Sequence, residues 1–265
     1  MRILLLLLLL ASTAVDAQPD NARDGTTAPD YARDVNNAPD YAREKRWADE
    51  VTPGLVVGEA IYLEQKAGHK FLAIYTQAPK ARAAVIVVHG MGVHPDWALI
   101  GVLRSGLADN GYTTLSLQMP VRAATGLGEE YPSLFPDAAE RLQTAVVFLQ
   151  SKGYRKIALV AHSMGARMSN YFLARPSAAG IAAWVAIGIS NGDFANARDL
   201  HLPILDIYGE RDFPPVLQKA GARAAVLRTL KGSAQIEVAG ADHYFAGSEG
   251  ELVKQVRQFL DRRFE

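Results

Sequence analysis

Residues 156–174 read KIALVAHSMGARMSNYFLA, and this stretch decides the fold. After Lys156 comes a short, continuous apolar run containing the β-branched Ile157 and Val160, which reads as a strand buried on both faces. From Met164 onward the apolar positions (Met164, Met168, Tyr171 and Phe172) recur three and four residues apart, which is helical spacing. Between strand and helix stands Ser163, with the small residues Ala161 and Gly165 two places to either side. A strand that turns into a helix within two residues belongs to a parallel sheet with crossover helices.

Working outward, the same alternation repeats. Short apolar runs at 83–88, 113–117, 182–189, 204–208 and 234–238 are further strand candidates. Segments 97–110, 137–152, 164–174, 215–227 and 249–264 carry apolar residues at helical spacing. Ahead of them, 58–65 and 70–76 alternate as strands do and are joined by Ala67-Gly68-His69, which predicts an antiparallel hairpin leading the sheet. The expected fold class is therefore α/β, a mostly parallel central sheet with helices on both faces. Ligands in such folds bind outside the carboxyl ends of the strands.

The N-terminus differs from the rest. Met1-Arg2 is followed by Ile3, seven leucines and small residues ending in Val15-Asp16-Ala17, which predicts a signal peptide over 1–17 cleaved to leave Gln18 first. An uncleaved anchor is the alternative, but the apolar run is short for a bilayer, so no stable membrane span is expected after cleavage. A periplasmic or secreted location follows. Residues 18–55 hold PDNAR at 19–23 and PDYAR at both 29–33 and 39–43, with a period of ten. This polar, proline-interrupted tract is expected to be a disordered linker, the alternative being a binding arm that uses Tyr31 and Tyr41. The globular domain is expected over 56–265.

Composition removes several functions. Lys plus Arg and Asp plus Glu are 28 each among 265 residues, so no excess charge points to a nucleic acid. With no cysteine there is neither a disulfide, a thiolate metal site nor a cysteine nucleophile. The histidines are scattered without an H-x-x-x-H pair, and no glycine-rich phosphate loop heads the first parallel strand, so no metal, cofactor or nucleotide is expected. A small-molecule or acyl-ester substrate remains, with protein partners undetermined.

Chemistry concentrates where the strands end. A serine lifted on a sharp strand-to-helix turn is the nucleophile-elbow pattern, here A-H-S-M-G. Serine needs a base, and the base an orienting acid. Strand 204–208 runs into Gly209-Glu210-Arg211-Asp212, and strand 234–238 into Ala239-Gly240-Ala241-Asp242-His243. The order serine, acid, histidine makes Ser163 the nucleophile, Asp212 the acid and His243 the base, with Asp206 and Glu210 as competitors for the acid. A tetrahedral intermediate needs preorganised N–H donors. The glycine-bracketed turn His89-Gly90-Met91-Gly92 and the residue after the serine offer the backbone N–H groups of Met91 and Met164. His89 and His162 are expected to hold their turns, while His69 and His201 read as surface loop residues.

Together H-G-M-G, A-H-S-M-G, Y-G-E-R-D and A-D-H-Y, in this order, resemble the α/β-hydrolase superfamily over about 56–265, and in particular a signal-peptide-bearing bacterial branch without an assigned substrate. The resemblance implies the fold, the Ser163–Asp212–His243 triad, the oxyanion role of Met91 and Met164, and action on acyl bonds, carboxylic esters first. Amide, thioester or polysaccharide-ester hydrolysis, and a non-catalytic binding or envelope role, are the alternatives. Only twelve residues separate Ser190 from Pro203, so no large cap is expected. The loop 126–136, with Leu127, Tyr131, Leu134 and Phe135, is either a wall of the site or a packed surface loop, and Trp97 either lines the mouth or packs beneath the first helix of the domain.

Overall fold

The computed structural model describes residues 38–178, 180–192, 194 and 202–264. The expected leader at 1–17, the first two repeats and His201 lie outside the described residues.

Eight strands form one sheet: β1 (Glu59–Glu64), β2 (Lys70–Thr76), β3 (Ala83–Val88), β4 (Tyr112–Leu117), β5 (Ile157–His162), β6 (Ile181–Ile187), β7 (Ile204–Arg211) and β8 (Ala234–Asp242). Their order is β1-β2-β4-β3-β5-β6-β7-β8, with β1, β2 and β4 paired antiparallel and the rest parallel. The helices are α1 (Tyr41–Val51), α2 (Ala98–Asp109), α3 (Phe135–Ser151), α4 (Met164–Leu173), α5 (Pro214–Leu227) and α6 (Glu249–Phe264).

Because successive side chains of a strand point to opposite faces, each central strand feeds two cores. Ala84, Ile86 and Val88 of β3 pack with Leu142 and Leu149 of α3 and Phe172 of α4, while Val85 and Val87 pack with Leu103 of α2 and Val256 and Leu260 of α6. Burying each such valine, leucine, isoleucine or phenylalanine contributes about 1.5–3 kcal/mol. Both faces being covered is why the central strands are continuous apolar runs rather than alternating ones.

Strand order reverses at β3, whose neighbours are β4 on one side and β5 on the other. The carboxyl ends of β3 and β5 carry the H-G-M-G turn and Ser163, so the sequence motifs meet at the topological switch point.

One expectation needs correcting. Residues 41–51, inside the stretch read as a disordered linker, form α1. Asp40 caps it by accepting the Arg43 N–H at 2.9 Å, and Glu44 lies in the first turn, where a carboxylate favours the helix dipole. Glu44 is buried against Arg141 at 2.9 Å, a contact between residues 97 apart in sequence that local composition does not reveal. His69 differs likewise from a free surface residue: its ring lies 3.7 Å from that of Tyr41. Among the described residues no helix is long and apolar enough to cross a membrane.

Candidate active site

Ser163 occupies the turn from β5 into α4 with φ 54° and ψ −119°, a backbone conformation that costs a non-glycine residue about 1–3 kcal/mol and persists only where surroundings enforce it. The enforcement is visible. Ser163 N–H donates to the Ile187 carbonyl of β6 at 2.8 Å, and a side chain on Gly165 would land on the His89 carbonyl oxygen. A Cβ on Gly90 would stand 3.3 Å from Ser163 Cβ, so glycine at 90 lets the β3 turn close on the serine.

The register of β7 with β8 positions the other two groups. Arg211 pairs with Asp242, which sets the residues that follow them, Asp212 and His243, side by side. His243 Nδ1–H donates to Asp212 Oδ1 at 2.6 Å, and Ser163 Oγ–H donates to His243 Nε2 at 2.9 Å. The carboxylate is itself oriented, since Asp212 Oδ1 also accepts the Phe213 N–H at 2.7 Å. Asp212 and His243 are buried.

The competitors for the acid are committed elsewhere. Asp206 is fully buried and takes Arg223 at 2.8 Å, with burial raising its carboxyl pKa; Glu210 accepts the Gly240 N–H at 2.7 Å.

His162 Nε2–H donates to the His243 carbonyl at 2.9 Å and so fixes the backbone beneath the central ring. Burial, helped by the neighbouring His243, lowers its pKa to about 4, which keeps it neutral. His89 Nδ1–H donates to the Gly90 carbonyl at 2.8 Å, and burial lowers its pKa to about 3. Among the described residues, the N–H groups of Met91 and Met164 have no acceptor, which is the state an anion-receiving donor requires.

Three contributors escaped the sequence. Gly188, at the end of β6, has φ 54°, and a Cβ there would stand 3.1 Å from both Asp212 Oδ2 and His243 Nδ1, so glycine is what allows β6 to back the pair. The Phe213 ring stacks on the His243 ring with centroids 4.2 Å apart and planes at 24°, and Tyr244 stands edge-on to it at 5.2 Å. Both follow a predicted site residue directly, which was the available signal.

Over Ser163 lies a cleft of about 120 Å³ lined by Met91, Val93, Trp97, Phe213 and Tyr244 around Gly90, His162, Ser163 and His243. Trp97 thus lines the mouth, edge-on to Tyr244 at 5.6 Å. Of the 126–136 loop, Tyr131 and Leu134 are core residues while Leu127 is exposed; none lines the cleft. A larger groove of about 440 Å³, lined by Pro203, Lys231, Phe259 and Arg263 among others, lies toward the opposite end of β7 from Asp212 and includes no serine, aspartate or histidine among the described residues. The hydrogen-bonded chain of Ser163, His243 and Asp212 lies at the smaller cleft.

Sheet order and the strand–serine–helix turn define this chain as one of α/β-hydrolase fold. It is similar to a putative α/β hydrolase of unknown function from Agrobacterium tumefaciens (22% identity, TM-score 0.62, covering 77% of this chain and 95% of that one). It is similar also to the dienelactone hydrolase of Anabaena variabilis (19%, 0.63, 78% and 97%) and to an α/β serine hydrolase without lid from Xanthomonas campestris (18%, 0.60, 78% and 95%). At these identities the likeness is one of fold. The chain belongs to the family DUF3530, described as a protein of unknown function, which matches residues 1–139 and 132–262. No curated protein matches it in sequence.

Proposed function

We propose that this protein is a serine hydrolase of carboxylic esters, working in the periplasm or outside the cell after removal of residues 1–17. The observation that carries the reading is the continuous hydrogen-bonded chain Ser163–His243–Asp212, at 2.9 and 2.6 Å, opening into the cleft at the sheet's switch point. Similar folds in a dienelactone hydrolase and in a serine hydrolase support it by analogy only.

In this scheme Ser163 Oγ attacks the acyl carbon while its proton passes to His243 Nε2. Asp212 holds the ring in the Nδ1–H tautomer and stabilises the imidazolium. The developing oxyanion is received by the N–H groups of Met91 and Met164, each such donor being worth about 10²–10³ in rate. His243 returns the proton to the leaving alcohol, and water, deprotonated by the same nitrogen, then releases the acyl-serine as a carboxylic acid. Among the described residues, those around the cleft include no acidic side chain, lysine or arginine, so the acyl group it suits is uncharged. The cleft is small, about 120 Å³, so a short acyl chain is the group it suits best.

The test is turnover of p-nitrophenyl acetate, butyrate and octanoate by the purified protein and by Ser163→Ala. The expected result is hydrolysis that favours the short acyl groups and falls by a factor on the order of 10⁴–10⁶ in the variant, with the circular dichroism spectrum unchanged. Undiminished hydrolysis by Ser163→Ala would remove the proposal.

A further inference from the structure

The N-terminal helix reaches the active-site turn by two separate routes. Arg43 extends from the first turn of α1 and donates to the Gly92 carbonyl at 3.2 Å and to the Arg122 carbonyl at 2.9 Å. Next to it, buried Glu44 pairs with buried Arg141, whose Nη1–H donates to the Gln118 carbonyl at 2.9 Å. Gln118 Nε2–H and Met119 N–H then both donate to His89 Nε2, at 3.1 and 2.9 Å, which leaves the His89 proton on Nδ1, bound to the Gly90 carbonyl at 2.8 Å. The two routes end on the carbonyls of Gly90 and Gly92, one on each side of Met91.

This arrangement fixes a direction. A trans peptide is planar, so the N–H of a residue points opposite to the carbonyl of the residue before it. With the Gly90 carbonyl held on His89, the Met91 N–H is held facing away from it, and with the Gly92 carbonyl held on Arg43 the turn cannot rotate that N–H back. Gly92 has φ +68°, and a Cβ on it would come within 3.7 Å of an Arg43 guanidinium nitrogen, so Arg43 lies directly against the glycine.

We infer that Arg43 and Glu44 are positioning residues that hold the Met91 N–H in its donor orientation, making α1 part of the active site rather than a tether. The inference rests on the oxyanion role proposed above for Met91. It also gives the last repeat a purpose: Asp40 caps α1, Tyr41 lies on His69 and Arg43 braces the turn. Arg23 and Arg33 hold the same place in the two earlier copies, each followed by an acid, Asp24 and Asp34.

The experiment uses the full mature chain and compares Arg43→Ala, Arg43→Lys and Arg23→Ala/Arg33→Ala. Four quantities are read: kcat, KM, the inhibition constant of an alkylboronic acid that forms a tetrahedral serine adduct, and the backbone amide NMR signals of Met91 and Gly92. Arg43→Ala is expected to lower kcat by about 10- to 100-fold with KM within about twofold. The boronate constant should rise in parallel and the Met91 amide signal should shift or broaden. A lysine serves only one of the two carbonyls and should fall between, which keeps the test available if the alanine variant does not fold. The Arg23→Ala/Arg33→Ala protein should match the parent. Unmoved Met91 and Gly92 signals with unchanged kcat in a folded Arg43→Ala protein would overturn the brace, as would an equal loss in Arg23→Ala/Arg33→Ala. A parent chain inert toward esters and boronate would instead overturn the hydrolase reading, and the amide signals would still decide whether Arg43 holds the turn.

Discussion

His89 and His162 titrate far below an ordinary histidine, at about 3 and about 4, because burial removes the water that would solvate an imidazolium. In the unfolded chain both take up protons near pH 6.5. Between pH 6.5 and their folded values the unfolded state therefore binds more protons than the folded one, and stability must fall as pH falls through that window. The loss is on the order of 3–5 kcal/mol for each histidine once both states are charged. Chemical denaturation at pH 7 and pH 4.5 should show a lower midpoint at the acid pH, and His89→Gln should reduce that difference; a midpoint independent of pH over this range would contradict the assignment. At this scale the sequence singled out Ser163, Asp212 and His243, because each stands just past a strand end, and the structure brings the three into one hydrogen-bonded chain. It did not disclose Gly188, whose role depends on β6 lying behind the Asp212–His243 pair.

The strands and the later helices were legible because burial on both faces leaves continuous apolar runs and buried helix faces leave a 3.6-residue period. Helix α1 was not legible. What holds it in place is the pairing of Glu44 with Arg141 and of Arg43 with Gly92, residues 97 and 49 apart, and a repeat with proline at its head looks like linker until its partners are known. The ends of β7 and β8 likewise run further than the apolar runs indicated, to Arg211 and Asp242, since pairing continues through polar residues. The two strands lie close together at Gly209, where a side chain would collide with the Ala241 carbonyl. Gly209→Ala should push these ends apart, costing about 1–3 kcal/mol of stability and separating Asp212 from His243, so kcat should drop far more than KM rises. Unaltered melting and turnover in that variant would show the approach to be slack.

For the molecule as a whole, the domain boundary matters. Sequence patterning begins the globular domain at 56, whereas α1, at Tyr41–Val51, is already joined to it through the buried Glu44–Arg141 pair. A chain covering 35–265 should melt close to the mature protein. One covering 56–265 lacks α1 and with it the Glu44 carboxylate that pairs with Arg141, and should melt lower by several degrees, on the order of 2–4 °C for each kcal/mol lost in a domain of this size. Equal melting of the two truncations would place α1 outside the cooperative unit.

The most direct test of the whole account is reaction of the mature protein with a fluorophosphonate, followed by peptide mass spectrometry to locate the adduct. One phosphonylated peptide carrying the label on Ser163 is expected, and none in Ser163→Ala. A folded protein that takes no label, or takes it equally at another serine, would contradict an activated Ser163 and with it the hydrolase assignment.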